Sequence, residues 1–111
     1  MKSIYICYDE MDREYAQQIK KMFERENVEC QDLSKADIHL LIFTKHASKS
    51  FKVMDELHKM ISFDKKILTL KYTNEAPSDE LSFYISTTQW MDMSEKTSMS
   101  RLLDKILRQI R

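Results

Sequence analysis

The segment Ala36-Asp37-Ile38-His39-Leu40-Leu41-Ile42-Phe43-Thr44 decides the fold. From Ile38 to Phe43 every residue except His39 is apolar, over a strand's length. A strand apolar on both faces belongs in the middle of a parallel sheet, covered by helices above and below. Working outward, the polar stretch Thr44 to Ser50 leads into a helix from about Phe51 to Phe63, with Val53, Met54, Leu57, Met60 and Ile61 as its buried stripe. Lys66 to Tyr72 alternates and predicts a fourth strand. Thr73 to Asp79 holds the only proline, Pro77, and is a loop. Glu80 to Ser86 has room for one helical turn, Thr87 to Met91 is a short edge strand, and a last helix runs from about Ser98 to Arg111. Its stripe is Leu102, Leu103, Ile106, Leu107 and Ile110.

On the other side, Val28-Glu29-Cys30-Gln31 predicts a weak second strand. A helix from about Arg13 to Glu26 carries Tyr15, Ala16, Ile19, Met22 and Phe23 on one stripe, with Asp9 or Asp12 as its cap. Ile4 to Tyr8 is the first strand. Strands alternating with helices imply one α/β domain over residues 1–111, with a parallel sheet and right-handed crossovers. One connection is short: only Asp32 to Asp37 joins the second and third strands, too few residues for a crossover helix.

The composition narrows the function. There is no glycine, so neither a P-loop nor a GxGxxG turn can form, and turns must use residues such as Asn27, Asp64 and Asn74. Eighteen basic and eighteen acidic residues cancel, which argues against a general nucleic-acid binder, although Lys45, Lys49 and Lys52 form a local basic group. No apolar run reaches the length of a membrane span, and the opening residues lack a signal peptide's pattern. Cys7 and Cys30 are expected as reduced thiols of a cytoplasmic protein, and no Cys/His spacing suggests a metal.

Four pieces, in order, resemble TIR (Toll/interleukin-1 receptor) domains. Ile4-Tyr5-Ile6-Cys7-Tyr8-Asp9, followed by Asp12 and Tyr15-Ala16, is similar to the family's F-I-S-Y-S-x-x-D-x-x-x-A opening, with Cys7 in place of the usual serine. Ala36 to Thr44 resembles the third-strand pattern A-D-x-x-I-x-x-L-S. Ser50 through Asp55-Glu56-Leu57 resembles S-x-W-x-x-x-E-L, with Phe51 near the tryptophan and one residue too far from Glu56. Gln89-Trp90-Met91-Asp92 resembles the Q-W-I-D of many bacterial members. The resemblance implies a flavodoxin-like fold with a five-stranded parallel sheet in the order 2-1-3-4-5. It further implies a signalling or defence (immunity) domain that associates with itself or with another TIR domain, or an enzyme that cleaves NAD at the nicotinamide–ribose bond. NAD is then a substrate, no cofactor is implied, and neither a nucleic acid nor a membrane is an expected partner. A non-enzymatic adaptor, or an N-glycosidic enzyme akin to nucleoside deoxyribosyltransferases, is the alternative.

By the same resemblance Glu56 matches the catalytic glutamate of the NAD-cleaving members. A carboxylate beside the ribose stabilises the positive charge that develops as nicotinamide leaves. The plain alternative is a solvent-facing helix residue beside Asp55. Tyr8, Asp9 and Asp12 follow the first strand, and Thr44, His46 and Ser50 follow the third, at the sheet edge where ligands dock in open parallel sheets. Tyr8 would stack on a ring, and Asp9, Asp12, Thr44 and Ser50 would bind substrate; the competing roles are core packing for Tyr8, helix capping for an Asp, and an ordinary polar loop for Thr44, His46 and Ser50. Glu56 is expected beside Tyr8 and Ser50. Trp90 is expected to cover the space between edge strand and last helix. His39 and His58 receive no role.

Overall fold

The computed structural model describes residues 3–86 and 88–110. Thr87 and Arg111, assigned above to the last strand and helix, lie outside the described residues. Five parallel strands form one sheet in the order β2-β1-β3-β4-β5. They are β1 (Ser3–Cys7), β2 (Glu29–Cys30), β3 (Ile38–Phe43), β4 (Lys66–Lys71) and β5 (Gln89–Asp92). The helices are α1 (Arg13–Arg25), α2 (Phe51–Ser62), α3 (Asp79–Ile85) and α4 (Ser98–Ile110). This is the flavodoxin-like arrangement, with all six residues of β3 buried at its centre.

Strand alternation divides the interior into two layers. Ile4, Ile6, Leu40, Ile42, Leu68 and Leu70 point to one face, where Ile19 and Phe23 of α1 and Leu102 and Ile106 of α4 cover them. Cys7, Leu41 and Phe43 point to the other, under Val53, Leu57 and Met60 of α2 and Leu81 and Ile85 of α3. Cys30 packs against the first layer and Cys7 lies in the second, so the sheet separates the two free thiols.

A chain without glycine still needs left-handed residues to end its helices. Asn27 (φ 60°) and Asp64 (φ 54°) supply them after α1 and α2, as side chains that tolerate this region can. Beyond α1, the Val28 amide donates to the Phe23 carbonyl and the Asn27 amide to that of Glu24, the paired bonds of a Schellman motif. Val28 and Phe23 then meet in the same core layer.

The β2–β3 connection crosses without a helix. A single turn, in which Lys35 and Ala36 donate to the Asp32 carbonyl, carries the chain over β1. Three devices tie it down. The Asp37 carboxylate accepts from the Ser3 amide at 2.9 Å, His39 Nε2 bonds the Leu33 carbonyl at 3.0 Å, and Ala36 is fully buried.

Several expected details differ. The chain segment expected to make one turn is a seven-residue helix, α3, capped by Ser78 and anchored by Leu81 and Ile85. Trp90 packs toward α3: its indole meets Phe43 edge-on, and its N–H donates to the Ile85 carbonyl. Tyr15 leaves the buried stripe of α1 and stacks on Tyr72, with ring centroids 4.2 Å apart. Ile61, at the far end of α2, is exposed. Tyr8 falls one residue beyond β1, and β2 keeps only the middle two of its four expected residues.

Candidate functional site

The carboxyl ends of β1 and β3 open into two loops that one hydroxyl joins. Thr44 Oγ1 donates to Asp12, which is buried, and accepts from the amides of His46 (3.1 Å) and Ala47 (3.3 Å). Asp9 caps the 3-10 turn Glu10–Asp12 by accepting from the Met11 amide. Ser50 is buried and caps α2 by accepting from the Val53 amide. The structure therefore brings Asp12 and Thr44 together, and gives Asp9 and Ser50 capping bonds within their own turns.

Glu56 is half-buried, and the hydrogen bond it makes is with neither Tyr8 nor Ser50. Its Oε1 accepts a hydrogen bond from the hydroxyl of Tyr5. The cause is alternation: Tyr5 and Cys7 share the face of β1 that looks toward α2, while Tyr8 packs with the opposite layer. Burial pushes the Tyr5 phenol far above its ordinary range, and the bond and charge of Glu56 push it further. Burial also pushes the Cys7 thiol well up, with the charge and bond of Glu56 adding to it. Both groups hold their protons across the physiological range.

A hollow of about 370 Å³ lies on the outer side of β1, where β2 pairs only with Ser3 and Ile4. Tyr5, Tyr8 and Ile6 form one side; Arg13, Gln17, Lys20 and Gln31 bring two cations and two amides to it. Across Tyr8, the Lys52 ammonium sits 4.3 Å from the ring centroid. It donates to the Tyr8 carbonyl and to Glu10, each at 3.1 Å. Arg13 also pairs with Glu10. A smaller hollow of about 200 Å³ lies over Asp12 and Thr44, beside Tyr15 and Tyr72, with Lys45 and His46 also lining it. Phe51, near the position of the family's tryptophan, is 93% exposed.

Sequence reasoning missed Tyr5, Lys52, Arg13 and Lys20. Lys52 is read there only as part of a local basic group, and one signal was available for it: it stands four residues before Glu56 on one helix face. Among the described residues no group of three or more His, Cys, Asp or Glu side chains is arranged to hold a metal ion. Nor is any helix among them long and apolar enough to cross a membrane.

The chain has the fold of a TIR domain. It is similar to the solved TIR domain of the Toll-related receptor TRR-2 from the lower metazoan Hydra magnipapillata, with a TM-score of 0.79. The match covers 100% of this chain and 99% of that one, at 15% sequence identity. No family model matches the chain. No curated protein matches it in sequence.

Proposed function

We propose that the chain is a TIR-type signalling or defence domain whose output is cleavage of NAD at the nicotinamide–ribose bond, with Glu56 as the catalytic carboxylate. The observation that carries this reading is the setting of Glu56. It is half-buried at the carboxyl side of β1 and held by the Tyr5 hydroxyl, while the hollow containing Tyr8, Arg13 and Lys20 lies toward α1. Two cations beside a phenol ring suit a dinucleotide's diphosphate and one of its bases. In the reaction the C1′–N bond breaks, and its electron pair leaves with nicotinamide, which becomes neutral. Glu56 stabilises the ribosyl cation, water adds at C1′, and a proton is released. Tyr5 fixes the carboxylate by donating its hydroxyl proton in a hydrogen bond to Oε1.

The test is NAD loss over time at high protein concentration, with products separated by chromatography. Wild type should consume NAD, and Glu56→Gln should be slower by about 100-fold or more, the usual cost of removing one electrostatic stabiliser. Equal turnover in the two removes Glu56 from the mechanism. No turnover in either, even when the protein is forced to assemble, favours the second reading.

That second reading is a non-enzymatic interaction module working by association with another TIR domain. It draws on the large apolar side chains the fold leaves in water: Phe51 (93% exposed), Phe83 (76%) and Met11 (73%). Sedimentation of wild type against Phe83→Ser checks it: a dimer that the substitution dissolves supports association through α3.

A further inference from the structure

The ring face of Tyr8 is occupied by a charge that the chain itself supplies. Lys52 reaches across from α2 and makes three contacts with the β1–α1 connection: the ring of Tyr8, its carbonyl, and the carboxylate of Glu10. The Lys52 side chain is 40% exposed, so the position opens to solvent. Glu56 lies one helical turn further along α2, near enough for its charge to act on the ammonium. A π face, a carbonyl oxygen and the Glu10 carboxylate thus meet at the ammonium, and every one of them favours a cation. Burial draws the Lys52 ammonium down, but the Glu10 bond and the charges of Glu56 and Glu10 outweigh it and hold it raised.

We propose that this space is a seat for a flat aromatic cation, of the N-alkylated pyridinium class, and that Lys52 is an exchangeable plug in it. The identity of the ring as the nicotinamide of an oxidised dinucleotide rests on the function proposed above. The seat itself depends only on Tyr8, Glu10 and Lys52. The exchange is charge for charge: a pyridinium displaces the ammonium and covers the phenol with a plane instead of a point. Cleavage then neutralises the ring. A neutral nicotinamide has lost the attraction that let it displace Lys52, so the ammonium returns and drives the product out. The same plug weakens substrate binding at rest, so the domain is held back by its own side chain.

The experiment titrates the 1-methylnicotinamide cation into wild type, Lys52→Met and the double variant Tyr8→Leu/Lys52→Met, with neutral nicotinamide as control. Lys52→Met keeps the apolar stem and removes the charge. It should bind the cation about two- to fivefold more tightly than wild type, the scale of one exposed cation–π contact. The double variant should lose the gain, and neutral nicotinamide should show none. Equal affinity in wild type and Lys52→Met overturns the plug, as does a gain that survives loss of Tyr8 or extends to the neutral compound. Cooperative thermal unfolding verifies each variant, and Lys52→Gln replaces Lys52→Met if the latter does not fold. NAD turnover measured in parallel separates the two claims. Turnover that Glu56→Gln abolishes, without a gain in cation affinity, overturns the plug and leaves cleavage standing. A gain without turnover overturns cleavage and leaves the seat.

Discussion

Leu41 and Lys71 sit on neighbouring strands, yet they should respond oppositely to truncation. Leu41 is fully buried between Cys7 of β1 and Thr69 of β4, under α2. Leu41→Ala removes most of that side chain and leaves a cavity the rigid sheet cannot close, at a cost of roughly 2–5 kcal/mol. Lys71 ends β4 partly in water, and it is its backbone carbonyl that accepts from the Met93 amide. Lys71→Ala should stay within about 0.5 kcal/mol of wild type in denaturant unfolding. His39 makes a different prediction. Burial, helped by the charge of Lys65, lowers its pKa below the ordinary 6.5 despite the bond to Leu33. The unfolded chain therefore binds the proton first. Stability is full above pH 6.5 and falls as the pH drops from 6.5 toward the lower folded value. Urea unfolding across that window should show the fall, and His39→Gln, which keeps a donor for Leu33, should flatten it. At this scale the sequence was only partly legible. Glu56 could be named as a candidate from a motif, but its partner Tyr5 could not. That partnership depends on which side of β1 faces α2, and no local pattern in Ile4 to Tyr8 states this.

Helix ends were legible only in part. Asp9 caps the 3-10 turn before α1, Asp12 gives α1 no side-chain cap bond, and Ser50, read as part of a polar loop, makes the capping bond to Val53. Ser50→Ala should lower stability by about 0.5–2 kcal/mol, with Ser50→Thr keeping most of it, as denaturant midpoints would show. Asn27 and Asp64 were identifiable as turn residues because a chain with no glycine has few others able to turn left-handed. Faces misled where a large ring or a helix end was involved. Tyr15 has the spacing of a core residue, but Tyr72 gives its ring a partner at the surface. α3 was underestimated because only Leu81 and Ile85 anchor it, and two apolar positions four apart do not reveal a periodicity. The β2–β3 connection was legible in length and not in path. Its course over β1 is fixed by Asp37 and His39, whose partners Ser3 and Leu33 a strand pattern does not identify.

For the molecule as a whole, the strand order 2-1-3-4-5 follows from a small set of rules. A doubly apolar third strand must be central, and right-handed crossovers leave few other arrangements. The same order has a consequence for the birth of the chain. During synthesis β1 emerges first, and β2, next to follow, offers it only a two-residue pairing. Its principal neighbour is β3, with Ile4 set against Ile38, so the first strand waits for dozens of residues before it is enclosed. Even then one side of the sheet is covered only in part, by α1. Ile4, Ile6, Leu40, Ile42, Leu68 and Leu70 are sealed in part by Leu102 and Ile106, which the ribosome delivers only after all five strands. A nascent chain halted before Ser98 therefore displays an apolar sheet face that its finished form never shows, and that is the stage at which chaperones have most to hold.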